Sequence, residues 1–110
     1  MSEKIIYDMD EYQEKTNETA IYPDMNWMEY LSTGMAGEVG ELCSKVAKRF
    51  RKDKGIDPEE LMLELGDIMW FVAQFAGHLN YELSEIATAN IKKLQDRKER
   101  GVIRGDGDKR

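Results

Sequence analysis

One cysteine, one histidine and two prolines are present in the 110-residue chain. The single cysteine, Cys43, excludes an internal disulfide and fits a reducing compartment. The only histidine, His78, falls near the end of an expected helix and reads as structural. Zinc-ligand spacings, nucleophile motifs, a phosphate-cradling glycine loop and internal repeats are all missing. No apolar run approaches the ~20 residues that a membrane span needs. The opening MSEKIIYDMDEY has no apolar h-region and no cleavage signal, so the expected location is the cytoplasm, with no membrane partner. Positive charge is also short overall. A net charge of −6 argues against general nucleic-acid binding, and no nucleic-acid partner is expected.

What is present is an ordinary folded composition, 41% hydrophobic and 35% charged. Residues 1–110 read as one domain, short enough that a partner subunit is expected to complete its core. The charge is unevenly spread. Residues 45–54 carry a net +5 and residues 92–110 a net +4, on a chain that is acidic elsewhere. Two such stretches suggest a local anion site; the plainer alternative is solvated helix ends, where cations suit the dipole.

Helix signals divide the chain into four. Asp8 with Glu11 has capping-box spacing and starts a helix over about 9–20, which Tyr22-Pro23-Asp24 ends. A second helix runs from about 26 to 52. Its glycines at 34, 37 and 40 each weaken it by roughly 1 kcal/mol relative to Ala, and suggest close packing, a nearby ligand or a local break near Gly34. Asp57 as cap, Pro58 at the first helical position and Glu60 three residues on start a third helix to about His78. That helix is apolar nearly all round, which in a chain this short requires another subunit. A fourth spans about 83–99, with Leu83, Ile86, Ala87, Asn90, Ile91 and Leu94 inward and Lys93 and Arg97 extending a polar stripe. The glycine- and charge-rich tail 101–110 reads as flexible.

The chemistry lies in two acidic pairs, Glu38 with Glu41 and Glu64 with Asp67. A spacing of three places both carboxylates of a pair on one helix face. With Glu38 at 0° and about 100° per residue, Glu41 falls at about −60°, Lys45 at −20° and Lys48 at −80°. Alone, that stripe reads as a ladder of surface ion pairs. The second pair changes the balance, because Glu64 and Asp67 stand on the apolar third helix and need a compensating partner. Lys45 or Lys48 could supply it, and so could a metal. Four converging carboxylates with oxygen-only ligands favour a hard ion such as Mg²⁺ or Mn²⁺. Trp27 and Trp70 could stack on a base, although aromatics at helical spacing are more often core.

Both pairs, the 22 residues between them, GMAGEVGEL, ELGDIMWFVA and the closing ANIKKLQDRKERGVIRGDGDKR together resemble the MazG-type nucleoside triphosphate pyrophosphohydrolases. The resemblance is to the short single-domain form and covers roughly residues 12–110. It implies an all-α helical bundle of the MazG type, with four-helix bundles completed by pairing into homodimers or homotetramers. It also implies Mg²⁺-dependent cleavage of a nucleoside triphosphate to the monophosphate and pyrophosphate by a metal-activated water. On that pattern Glu38, Glu41, Glu64 and Asp67 hold the metal, and Glu41 or Glu38 takes the water's proton. Lys45 and Lys48 approach the phosphates, and Asn90, Lys93 and Arg97 contact nucleotide or phosphate. Some branches have an extra glutamate directly before the first pair. Gly37 stands there in this chain, so no role transfers to it.

Two other function classes fit the same residues. One is a module of this fold that binds nucleotide or metal without hydrolysis; the other is a structural protein whose acidic pairs are ion-pair ladders. The loss of ligands that would mark a non-catalytic relative is not seen here. For the tail, its resemblance to the family's closing stretch and its charges suggest that Arg104 to Arg110 folds over bound phosphates, with glycines permitting tight turns.

Overall fold

The computed structural model describes residues 5–52, 55–105 and 107, and those residues form helices and no strand. The first helix, α1, is Met9–Thr16, extended by one 3₁₀ turn at Asn17–Thr19. Three longer helices follow: α2 at Trp27–Lys52, α3 at Pro58–His78 and α4 at Leu83–Glu99. The helix boundaries lie where the caps were expected. Asp8 accepts from the backbone N–H of Asp10 and Glu11, and Asp57 accepts from that of Glu59 ahead of Pro58.

The helix ends show why the chain reverses where it does. At the end of α3, Asn80 takes φ 64°, its N–H reaches the Gly77 carbonyl, and the Tyr81 N–H reaches that of Ala76. At the end of α4, Gly101 takes φ 72°, with Gly101 N–H on Lys98 and Val102 N–H on Arg97. Both are paired reverse bonds that close a helix through one left-handed residue, and only Asn and Gly enter that region readily. Neither stop was anticipated as a specific turn.

The α2–α3 hairpin is the main packing unit, with α1 laid on α3 and α4 and with α4 also touching α3. Helix α2 continues unbroken through its glycines, and Gly34 explains how. A Cβ there would lie 2.3 Å from Cε1 of Phe71, so the two backbones approach only because that position has no side chain. Close packing therefore accounts for Gly34, whereas Gly37 and Gly40 face open space.

The core within one chain is small. Among the described residues, Leu31, Ala73, Ala76 and Leu83 are its buried apolar side chains. Met62, Leu63, Leu65 and Met69 of α3 are each at least half exposed. The inward face expected for α4 is buried only at Leu83 and Arg97, while Ile86, Asn90 and Ile91 stay exposed. The start of α4 is tied to α1, through Leu83 and Ser84 on Gln13 and Asp10. The radius of gyration, 16.9 Å, exceeds the ~13 Å of a compact chain of this length. No helix among the described residues is long and apolar enough to cross a membrane.

Candidate metal centre

The close α2–α3 approach at Gly34 and Phe71 places the polar faces of the two helices together a turn further along. Glu38 from α2 and Glu64 and Asp67 from α3 each bring one carboxylate oxygen within 4.8 Å of the others. Glu64 is buried, Glu38 half-buried and Asp67 exposed, so the group opens to solvent on one side. Three such groups repel; at ~4 Å each pair costs about 1 kcal/mol even in water and more where water is excluded. Glu38 registers that strain. Its carboxyl is pushed above the ordinary range by burial first, then by the charge of Asp67 and by contact with Glu64.

Of the two partners proposed for Glu64, the chain itself supplies Lys45. Its ammonium lies 2.9 Å from Glu64 Oε1, and this contact more than any other raises the lysine's pKa. The other oxygen, Glu64 Oε2, is buried with no hydrogen-bond donor among the described residues. Buried carboxylate oxygens are seldom left so, since the desolvation is then uncompensated. One lone pair-bearing oxygen in an all-oxygen group of three carboxylates fits a hard divalent cation.

The other expected residues fall at varying distance from this group. Glu41 is exposed and outside the set of three, one turn on along α2, where its charge still acts on Glu38 and Lys45. Lys48 is exposed and, with Lys45 and Arg49, lines a cavity of about 420 Å³ between the end of α2 and the start of α3. Asn90 and Lys93 line a separate hollow of about 550 Å³ on α4 with Tyr81 and Ile86. Arg97, 3% exposed, turns to the tail, where its Nη2 donates to the Gly107 carbonyl over 3.3 Å. The rest of the expected tail cover, at 106 and 108–110, lies outside the described residues, as do Asp53 and Lys54 of the first basic run.

The two tryptophans sit among other aromatic rings. Trp27 stacks on His78 at 4.3 Å and meets Phe75 edge-on. Trp70 meets Tyr22 and Phe71 edge-on, and its Nε1 donates to Thr19 Oγ1 over 2.8 Å. The His78 Nε2 lies 2.8 Å from the Tyr22 hydroxyl.

Two contributors were not singled out from sequence. Arg49 joins the cavity beside Lys48, with no periodic signal to separate it from the other cations of that run. Tyr12 of α1 comes near the group from a third helix. Burial first, and then the charge of Asp67, raises its hydroxyl pKa.

A family profile described as the MazG nucleotide pyrophosphohydrolase domain matches residues 28–102, which include both acidic pairs. The Gene 37 protein of Mycobacterium phage L5 is 43% identical over 112 residues, covering 93% of this chain and 98% of that protein. No solved structure matches. With an all-helical fold, a profile match over most of its length and a full-length relative, the chain belongs to the MazG nucleotide pyrophosphohydrolase domain family.

Proposed function

We propose that this protein hydrolyses a nucleoside or deoxynucleoside triphosphate to the monophosphate and pyrophosphate, using Mg²⁺, or Mn²⁺ in its place. The observation that carries the reading is the carboxylate group of Glu38, Glu64 and Asp67 with its donorless Glu64 Oε2, in a chain of this family. Glu38, Glu64 and Asp67 would hold the ion. When bound, a divalent ion offsets the triphosphate charge, lowers the pKa of the attacking water and stabilises the pyrophosphate that leaves.

The chain's own residues do the rest. Glu41, exposed beside the group and outside it, accepts the proton of the attacking water. Lys48 and Arg49 face the cavity next to it and offer ammonium and guanidinium to phosphate oxygens. Asn90 and Lys93 on α4 lie in a mostly apolar hollow suited to the nucleoside end. Trp27 and Trp70 support the site through packing, since both rings already have aromatic neighbours.

The exposed side chains of α3, the apolar cleft of Met35, Val39 and Phe75, and the extended radius of gyration support a homodimer or homotetramer as the working form. Pairing two α2–α3 hairpins would complete a four-helix bundle.

The test is incubation with each common NTP and dNTP, with and without Mg²⁺, and separation of products by anion exchange. Monophosphate and pyrophosphate appearing only with metal is the expected result and names the base. Diphosphate and orthophosphate would mean that the wrong bond has been assigned. Saturable nucleotide binding without turnover would favour the binding-module reading.

A further inference from the structure

Lys45 belongs to two sites at once. Its ammonium is paired with Glu64 Oε1 at 2.9 Å, inside the carboxylate group, and the same side chain lines the cavity between α2 and α3. That cavity, about 420 Å³, is faced by Lys45, Lys48 and Arg49 against Asp57 and Glu60. Asp57 is already engaged in capping α3, through the Glu59 N–H at 3.0 Å. Asp57 keeps its charge while it caps the helix, so three cations face two carboxylates, and it is the net positive wall that favours a tetrahedral oxyanion, sulfate- or phosphate-like in size and charge.

From this placement we infer that Lys45 is a resident counter-ion of the carboxylate group, which an oxyanion bound in the α2–α3 cavity draws away, so that oxyanion and divalent cation bind cooperatively. The inference rests on the reading of Glu38, Glu64 and Asp67 as a metal site. The physical argument is competition for one carboxylate. With Lys45 in place, Glu64 has one oxygen neutralised and a cation beside the position that a metal must enter. An ammonium ~4 Å from a second cation costs about 1 kcal/mol per unit charge in water and more at a buried carboxylate. An oxyanion between Lys45, Lys48 and Arg49 gives the ammonium a second place to go, and linkage makes the effect reciprocal. The lysine thereby keeps the empty group from carrying three uncompensated charges.

The opposite role is that of a positioning residue: Lys45 would fix Glu64 through Oε1 and so prepare Oε2 for the metal. The two roles predict opposite signs for one measurement. Mn²⁺ binding to the full chain, free of nucleotide and phosphate, is followed by electron paramagnetic resonance of free Mn²⁺. If Lys45 is a competitor, Lys45→Met binds Mn²⁺ about tenfold more tightly than the unaltered protein, and Lys45→Arg stays within about twofold of it. Unchanged or weaker binding in Lys45→Met overturns the inference.

A second arm needs no variant. Sodium sulfate, against sodium chloride of equal ionic strength and after correction for sulfate-bound Mn²⁺, should tighten Mn²⁺ binding to the unaltered protein several-fold. Sulfate without effect also overturns the inference. The double variant Lys48→Gln, Arg49→Gln should lose the sulfate effect, read as the ratio of its own Mn²⁺ affinities in sulfate and in chloride; retention of that ratio would place the oxyanion elsewhere and overturn the cavity assignment. If no saturable Mn²⁺ binding occurs in any form, the metal reading itself falls. If Mn²⁺ binds but Lys45→Met does not tighten it, only the role of Lys45 falls.

Discussion

Helix α3 carries two buried polar side chains ten positions apart, and they are treated in opposite ways. Gln74 is fully satisfied. Its Oε1 accepts from the Tyr22 hydroxyl at 2.6 Å, and its Nε2 donates to Thr16 Oγ1 at 2.7 Å and Asn17 Oδ1 at 2.9 Å. Glu64 has one oxygen on Lys45 and one with no donor, beside two further carboxylates. A complete network rigidifies, and here it fastens the 3₁₀ turn after α1 onto α3. An incomplete one with excess negative charge is costly in isolation and makes sense as half of a site. The same contrast separates the ends of the molecule. At the α1 end, Gln13 and Asp10 clasp the turn into α4, with Gln13 on the Ala73 and Tyr81 carbonyls and the Leu83 N–H. Asp10 takes the Ser84 N–H and hydroxyl.

The contrast can be broken by exchanging what each group loses. Glu64→Gln should lower turnover by about 10³-fold, a ~4 kcal/mol loss of transition-state stabilisation, measured as kcat/KM with Mg²⁺. Its apo Tm should stay within a few degrees or rise, because Gln keeps an acceptor for Lys45 and relieves repulsion from Glu38 and Asp67. Unaltered Mg²⁺ affinity in this variant would remove the site. Gln74→Ala should do the reverse: a loss of about 2–4 kcal/mol in urea denaturation, with Mn²⁺ affinity per folded molecule unchanged.

Gly34→Ala comes next, at about 1–3 kcal/mol, since the new methyl overlaps the Phe71 ring. Because it wedges the hairpin beside the carboxylates, it should weaken Mn²⁺ binding as well. Wild-type Mn²⁺ affinity in Gly34→Ala would show that the hairpin spacing does not set the group.

The smallest effect is one of pH, and it has opposite signs for Glu38 and Asp10. Glu38, raised by burial and then by Asp67, holds its proton more tightly folded than unfolded. In chelator it should therefore add stability below its ordinary range, and that stability is lost as pH rises through the raised value. Asp10 is lowered, first by the Ser84 hydroxyl and then by the Ser84 N–H. Its contribution is present above its ordinary range and lost as pH falls through the lowered value. Apo Tm against pH should pass through a maximum in mild acid, and saturating Mn²⁺ should remove the Glu38 limb. A profile unaffected by Glu38→Gln would mean that the repulsion is not felt.

How far the sequence reaches can be judged from particular residues. Cap chemistry is local, so Asp8, Asp57 and Pro58 marked helix starts within a residue or two. The spacing of three in Glu64 and Asp67 put both on one face without reference to any neighbour. The group they form with Glu38, and the exclusion of Glu41 from it, depend on the azimuth at which α2 meets α3. Part of that approach is one glycine against one phenylalanine ring, a contact between residues 37 positions apart. Gln13 offered no period or motif, yet it ties three backbone groups, from α3, α4 and the turn between them.

What the sequence by itself determined is therefore the set of four helices, the family and the carboxylates available to a metal. Local propensity, capping and helical period are properties of a chain segment and can be read from it. Tertiary structure alone decided that Lys45 pairs with Glu64, that Arg97 turns to the tail, and that Trp27 and Trp70 join the aromatic cluster. Those outcomes depend on which side chains meet across helices, where a long flexible lysine or arginine takes whichever partner the packing brings within reach.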